Sequence, residues 1–402
     1  MWRTGAEACC ADTLEIPEPI LEIARTLEGA GFEAWCVGGT LRDTLLGHPQ
    51  SDYDIATTAI PEQVQALFPK TIGVGIKYGT VGVLDRKRQL HEVTTFRRDV
   101  ATDGRHAVVA YGVALEDDLA RRDFTINAIA YHPLRHEWRD PFGGARDLES
   151  HLVRAVGDPA QRFREDYLRI LRALRFAARF DFRIDPQTWE AARAAAPGLS
   201  RLSAERVRDE WFKSLRTARS LTTLVSLWKE VGAAGEWIPE LDAGLGSSAN
   251  IPPPPADGRD PVLLTALLCS SPAAVLKRLK ASNAEIDRAR GLEAGPEAPG
   301  GKDERSVRRW LAQTGESADD LSALWSLRHG GEPPWGEAVR KIRSRGDALT
   351  RTDLAVSGSD LESLGARGPR IGQMLADLLD QVLEDPALNT KDRLLDLARK
   401  MV

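Results

Sequence analysis

Two acidic residues, Asp52 and Asp54, follow a glycine pair, Gly38-Gly39, and an Arg42-Asp43 dipeptide within twenty residues. On a strand, residues two apart share a face. The two carboxylates therefore converge, while Tyr53 and Ile55 turn to the other side. Convergent carboxylates repel unless a cation lies between them, and the fitting ion is Mg²⁺, held by oxygens and by substrate phosphates. Glycines let backbone amides approach a ligand because no Cβ intervenes. Amides near the start of a helix favour an anion, and Arg42 can reach the same anion. A phosphate cradle beside a divalent-ion pair suits nucleotidyl or phosphoryl transfer. Taken singly, a Gly-Gly is usually a turn and an Asp-x-Asp a solvated strand end; the ordered combination is what points to chemistry.

Further candidates lie downstream. Glu92 sits in a strand-like run where Glu92 and Thr94 face opposite to Val93 and Thr95. A third carboxylate there would complete a two-metal clamp for in-line displacement at phosphorus; an exposed glutamate paired with a nearby Arg or Lys reads equally well. Arg121, Arg122 and Asp123 cluster before Phe124, and adjacent arginines opposite a phosphate cradle suit a triphosphate. The plain alternative is a solvated helix face. The strongest basic signal runs from Arg162 to Arg183. Arg169, Arg172, Arg175 and Arg179 recur at three- and four-residue steps, so they line one helix face. Leu168, Leu171, Leu174 and Ala178 form the opposing stripe, and Glu165 and Asp166 suit the first turn. Four arginines without interleaved acids imply an anionic partner. Asp166 accepts from an amino group and Arg169 donates to ring nitrogens or carbonyls, so the pair can mimic a base's pairing edge.

Positioning elements follow from the surrounding pattern. Ile20, Leu21, Ile23, Ala24 and Leu27 predict a helix from Ile16 to Ala30, ended by Gly31. Ala34 to Val37 reads as a strand, followed by a short helix, a turn at Gly47-His48-Pro49 and the strand of Asp52 and Asp54. Pro61 to Leu67 is a helix opening on proline. Gly79 to Leu84 and Leu90 to Phe96, joined by the charged turn DRKRQ, read as an antiparallel pair. Arg98 to Ala114 reads as a flexible loop near the site. Leu115 to Tyr131 has a helical period, and DPFGGARDL (140–148) reads as a turn into a helix. Beyond, helices are expected over Leu221–Ala234, Val262–Leu279, Glu304–Gln313, Ala318–Arg328 and Gly372–Leu383. Pro/Gly-rich stretches at 247–261 and 295–304 read as loops or hinges. AVRKIRSRG (338–346) is a basic patch suited to phosphates, or equally a solvated helix face.

The GG-x-x-RD and D-x-D order resembles the nucleotidyltransferase motif of the DNA polymerase β superfamily. More specifically, VGGTLRD, SDYDIAT, LARRDFTINAIAY, DPFGGARDL and EDYLRILRALRFAARF resemble successive motifs of class II tRNA nucleotidyltransferases, the CCA-adding enzymes and bacterial poly(A) polymerases. LSAERVRDEW (202–211) resembles the next helical motif, and LAVSGSDLESLGARGPRIGQML resembles the tail of bacterial CCA-adding members. The resemblance implies an α+β fold: a small mixed or antiparallel-sheet nucleotidyltransferase head (14–150), then a mostly α-helical neck (151–215), body (216–335) and tRNA-binding tail (336–402). It implies Mg²⁺ at the catalytic Asp52 and Asp54, with Glu92 as a further catalytic carboxylate. It implies nucleotide contacts from Gly38, Gly39, Arg42, Arg121, Arg122, Asp123, Asn127, Asp166, Arg169, Arg172 and Arg175, with Asp166 and Arg169 as the amino-acid template for ATP and CTP. The activity implied is addition of CCA to tRNA 3′ ends, with CC-only addition, poly(A) addition or a catalytically retired RNA-binding relative as alternatives. Intact Asp52, Asp54 and Arg42 argue against retirement. The loop departs from the family pattern: it keeps Asp103 and Arg105 but has Ala107 where proline is usual. Its near-full length favours complete CCA addition. The family's occasional HD hydrolase motif is absent, since no His-Asp dipeptide occurs.

At 402 residues the chain is expected to hold two to four domains. No apolar run approaches a membrane span, and the N-terminus lacks a secretory pattern. Cys9, Cys10, Cys36 and Cys269 have no CxxC spacing and read as free thiols in a reducing cytoplasm. A formal net charge of −5 argues on its face against a nucleic-acid binder. Local basic surfaces, however, decide such binding.

Overall fold

A computed structural model describes residues 13–48, 53–102, 107–241 and 258–401. Asp52, and Asp103 and Arg105 of the departing loop, lie outside the described residues. The chain forms two compact units, one up to residue 239 and one from residue 240.

The first unit opens with helix α1 (Glu18–Gly29), whose Ile20, Ile23, Ala24 and Leu27 are buried as the helical spacing requires. Strand β1 (Ala34–Val37), helix α2 (Gly39–Leu45), strand β2 (Asp54–Thr57) and helix α3 (Pro61–Leu67) follow. Strands β3 (Thr71–Gly75), β4 (Thr80–Leu84) and β5 (Leu90–Thr95) come next, then β6 (Arg97–Thr102) and β7 (Ala107–Tyr111). Helix α4 (Leu115–Ala120), strands β8 (Ala130–His132) and β9 (Glu137–Arg139) and helix α5 (Gly144–Glu149) complete the head. One seven-stranded sheet has the order β3-β4-β5-β2-β1-β8-β9, parallel between β2 and β5 and antiparallel elsewhere. One of its faces carries Ile55, Val81, Val83 and Val93 against α1; the other buries Trp35, Val37, Ala56 and Ala130 with Leu115 and Leu119 of α4.

Two expectations are corrected here. The described residues of the 98–114 stretch are not a free loop: β6 and β7 form an antiparallel pair, with Arg97 opposite Tyr111. The helix of 115–131 stops at Ala120, because the carboxylate of Asp123 takes the Phe124 amide at 2.9 Å and Phe124 bridges to Ala155. A short 3₁₀ turn (Thr125–Asn127) then leads into β8.

Strand β10 (Leu152–Val153), helices α6 (Pro159–Glu165) and α7 (Leu168–Phe180), strand β11 (Arg183–Ile184), and helices α8 (Pro186–Ala195) and α9 (Ala204–Thr217) form the next layer. The expected helix from Arg162 is two helices. Asp166 has extended backbone (φ −154°, ψ 105°), and its carboxylate accepts from the Leu168 amide at 3.0 Å, so α7 starts afresh there. Helices α10 (Leu221–Glu230) and α11 (Ala233–Trp237) are likewise split, at Gly232, whose φ of 89° no helix tolerates. Trp211 and Trp228 are fully buried edge to face, with ring centroids 4.9 Å apart.

The second unit is helical throughout its regular elements. Residues expected as one helix over 262–279 form Pro261–Leu268 and Pro272–Arg278, broken where Pro272 opens the second. Helices Glu304–Thr314, Ala318–His329, Gly336–Arg345 and Pro369–Glu384 lie over the remaining expected spans. Every basic residue of the 338–346 patch meets an acid: Arg340 with Glu332, Lys341 with Glu337, Arg343 with Asp319, Arg345 with Glu304 and Asp347. No helix among the described residues is long and apolar enough to cross a membrane. Cys36 and Cys269 are free and buried, and burial pushes both thiols up, the Cys269 thiol to about 12.

Helix α5 holds the turn that carries Asn127. A Cβ on Gly144 would stand 2.1 Å from the Thr125 carbonyl oxygen and 2.8 Å from the Ile129 side chain. Neither can retreat within a packed core. Gly144→Ala is expected to cost about 2 kcal/mol or more, read as a lowered denaturation midpoint; an unchanged midpoint would mean that α5 does not brace this turn.

Candidate active site

The site is built where β1 ends. Gly38 has φ +87° and ψ −149°, a conformation open to glycine, and α2 starts at the next residue. A Cβ on Gly38 would lie 3.1 Å from an Asp54 carboxylate oxygen and 3.4 Å from a guanidinium nitrogen of Arg122. The glycine therefore lets an acid and a base approach one point from two elements. Helix α2 has only seven residues, so cations rather than its dipole must supply the attraction for an anion.

Arg42 is the most constrained of those cations. It is 4 % exposed, and its guanidinium lies 4.9 Å from the Phe176 ring centroid and 4.8 Å from that of Phe180. Its Nε donates to Asp43 at 2.8 Å and its Nη1 to the Asn127 side-chain oxygen at 2.6 Å. Burial pulls its pKa down to about 10 against the support of Asp43, so it stays charged at neutral pH.

The other arginines are held from behind by acids. Asp118, 1 % exposed, accepts from Arg121 at 2.8 and 2.9 Å and from Arg122 at 3.2 Å. Burial would raise its pKa, but the two guanidiniums outweigh burial and hold it below the usual range. Asp123 takes the Arg172 Nε at 2.7 Å and the Asn127 amide nitrogen at 2.9 Å. Burial again opposes ionisation, yet Arg172 and Asn127 keep Asp123 at about 2, and Asp123 in turn raises Arg172. Arg169 is fixed by Glu165 at 2.9 Å and by the Arg121 carbonyl at 2.9 Å. Asp166 accepts from Arg206 of α9 at 2.7 Å.

Together these side chains line a cleft of about 460 Å³. Gly38, Gly39, Arg42, Asp54, Arg121, Arg122, Asp123, Asn127, Asp166, Arg169 and Arg172 all border it. Six arginines face three aspartates along its wall, so the cleft is cationic in a chain of net negative charge. Sequence reasoning passed over Leu168, Phe176 and Arg206 as wall residues. Arg206 lies within the LSAERVRDEW stretch, which pointed to the right element but not to the residue.

Three candidates stand elsewhere: Arg175, Arg179 and Glu92. Arg175 is buried, donates to Glu210 at 2.7 Å and lies 4.3 Å over the Phe176 ring. Arg179 reaches Asp43 at 2.9 Å. The α7 arginines thus pair with acids from α2, α4's outgoing turn, α6 and α9, acids that lie on other elements and so do not show in the helix's own spacing. Glu92 does not border the cleft. It is exposed on β5 beside Asp54, because β2 and β5 are parallel with Ile55 opposite Val93. Asp54 and Glu92 each precede that pair by one residue, so they share a sheet face, while Tyr53, Ile55 and Val93 are buried on the other.

The Asp123–Arg172 pair sets a pH dependence. Its folded pKa is depressed, so its stabilisation is present above about pH 4 and is lost as pH falls toward 2. The contribution is about 2 kcal/mol. Asp123→Asn should lower stability at neutral pH and flatten its loss between pH 4 and pH 2, measured by denaturant unfolding; a variant as pH-dependent as the parent would contradict the pairing.

Residues 34–154 match the Poly A polymerase head domain, and residues 181–245 match the probable RNA and SrmB-binding site of polymerase A. Over 200 residues the chain is 48% identical to the CCA-adding enzyme of Streptococcus mutans, a match spanning 49% of each chain, so the chain spans about half the length of that relative. The CCA-adding enzyme of Geobacillus stearothermophilus is 36% identical over 385 residues, 93% of this chain and 94% of the relative. The crystal structure of the Bacillus stearothermophilus CCA-adding enzyme in complex with CTP superposes with a TM-score of 0.76 at 31% identity, over 96% of this chain and 97% of that one. With near full-length coverage by the Geobacillus relative, the chain belongs to the CCA-adding enzyme family.

Proposed function

We propose that the chain adds C, C and A in turn to the 3′ end of tRNA, taking CTP and ATP and releasing pyrophosphate. The observation that carries this reading is the cationic cleft bordered at one end by Asp54. Such a cleft suits a nucleoside triphosphate, and an acid at its border suits the end where the α-phosphate meets an attacking hydroxyl. A relative of like fold is known in complex with CTP.

Arg42, Arg122, Arg121 and Arg172 clamp the triphosphate. Held by buried acids before substrate arrives, they need little reorganisation when it does. Asp166 and Arg169 face the base. One Asp166 oxygen takes the Leu168 amide and the other takes Arg206. An ionised carboxylate has about four acceptor sites, so capacity remains for the amino group that both cytosine and adenine carry. Arg206 fixes the orientation of Asp166 and belongs to the selection apparatus on this reading.

The donors at Asp54 fit a hard divalent cation such as Mg²⁺: exposed carboxylate oxygens on adjacent strands, with Glu92 on the same face. Asp52 and Asp54 would hold it, with Glu92 as the third carboxylate. Bound there, the ion would acidify the RNA 3′-hydroxyl and offset charge on the phosphates. The chain's own part is to align the triphosphate, with Arg122 converging near Asp54 on the point that Gly38 leaves open.

The test is incubation with tRNAs ending before CCA, after C and after CC, each with labelled CTP or ATP. CMP should enter the first two and AMP the third; runs of AMP, or a stop after CC, would overturn the reading. Asp54→Ala should lower kcat by about a thousandfold or more with tRNA affinity nearly intact, and near-normal turnover would remove Asp54 from the chemistry. Asp166→Ala should blur the choice between CTP and ATP more than it weakens binding; an unchanged preference would exclude selection by Asp166.

A further inference from the structure

Beyond Asp54 and Glu92, the same sheet face continues across β4 and β3 and ends in side chains that a soluble protein normally buries. Ile72 is 48 %, Val74 45 % and Leu90 39 % exposed. They form one surface. Leu84 pairs with Leu90, Gly82 with Glu92 and Ile72 with Gly82 in the sheet register. A Cβ on Gly82 would lie 2.5 Å from Leu90 and 2.8 Å from Val74. The missing side chain lets those two close over the strand and flatten the face. The opposite ends of β4 and β5 add a hydroxyl pair, Thr80 with Thr94 at 3.0 Å.

The turn joining β4 to β5 borders this platform with three exposed cations, Arg86, Lys87 and Arg88. Arg88 adopts φ +66° within the turn. Arg86 meets Glu22 at 3.1 Å but remains 87 % exposed. An apolar sheet face edged by cations offers bases a surface to pack on and phosphates a charge to follow, the division of labour of single-stranded nucleic-acid sites, here with aliphatic side chains in place of aromatic ones. A second copy of this chain, itself net negative, would gain apolar contact but offers no reason for the basic border.

Position points the same way. The triphosphate cleft lies on the β1 side of Asp54, and the exposed β5 side, with Glu92 and Leu90, is left for a strand bringing its 3′-hydroxyl to Asp54. From β2 to β3 is three strand spacings, about 14 Å, the length of about four stacked bases.

We propose that the β3–β4–β5 face, with Ile72, Val74 and Leu90 as floor and Lys87 and Arg88 as phosphate contacts, is where the unpaired 3′ end of the RNA primer lies. This rests on the function proposed above. The chemistry recognised is base faces and phosphates without hydrogen-bond readout, as suits a strand whose last nucleotides change with each addition.

The experiment uses the full chain and a fluorescent tRNA lacking its CCA end. Anisotropy reads RNA affinity without turnover, and steady-state CTP incorporation is run beside it. Leu90→Ser and the double variant Lys87→Glu, Arg88→Glu should each weaken RNA binding at least fivefold. The KM for CTP should stay unchanged, and the double variant should reduce the salt dependence of binding. Wild-type affinity in both variants would overturn the proposal. So would Leu90→Ser converting a dimer to a monomer in sedimentation without changing RNA affinity, which would assign the face to a second copy. Failure of the parent protein to incorporate CMP while the variants still lose RNA affinity would strike the proposed function and leave the platform standing.

Discussion

A charged guanidinium buried against two neighbouring phenyl rings is the feature on which the site depends. Arg42 comes from α2 in the head; Phe176 and Phe180 come from α7. Burying such a charge is unfavourable unless it is paired and hydrogen-bonded, and both conditions are met by Asp43 and Asn127. Asp43 also accepts from Arg179 of α7. One contact set therefore fastens the sheet layer to the helical layer and aims Arg42 at the cleft.

The remaining cations follow the same logic. Asp118 serves Arg121 and Arg122, Asp123 serves Arg172, Glu165 serves Arg169, and Glu210 serves Arg175. Each arginine on the cleft side keeps donors for a ligand while its acid holds the rotamer. A guanidinium has five donors in a rigid fork, so it can satisfy an acid behind and a phosphate in front at once. Lysine could not do this as well. That accounts for arginine as the base of the cleft wall among the described residues.

How much of this was legible depended on how local the cause was. Strand β1, helix α3 and the β4–β5 pair follow from alternation, proline placement and β-branched residues, and they stand within a residue or so of where the pattern put them. The exposed Asp54 between buried Tyr53 and Ile55 is the period of two made visible. The breaks at Ala120 and Asp166 were not legible. Each is made by a carboxylate that turns onto a nearby amide, and each carboxylate is held there by an arginine far away in the chain: Arg172 for Asp123, Arg206 for Asp166. The acids that neutralise α7 come from other elements as well, so helix spacing alone made its basic face look unpartnered. The β6–β7 pair was hidden by polar residues and a glycine that read as loop.

The central claim is that the arginine wall and Asp54 form one site, with the triphosphate on one and a divalent ion at the other. The most direct test is a crystal structure with a non-hydrolysable CTP analogue and Mn²⁺, read by anomalous difference density. The account requires the phosphates to lie against Arg42 and Arg122, with the manganese peak on the Asp54 carboxylate. Nucleotide density outside the cleft, or a manganese peak with no ligand from Asp54, would contradict it.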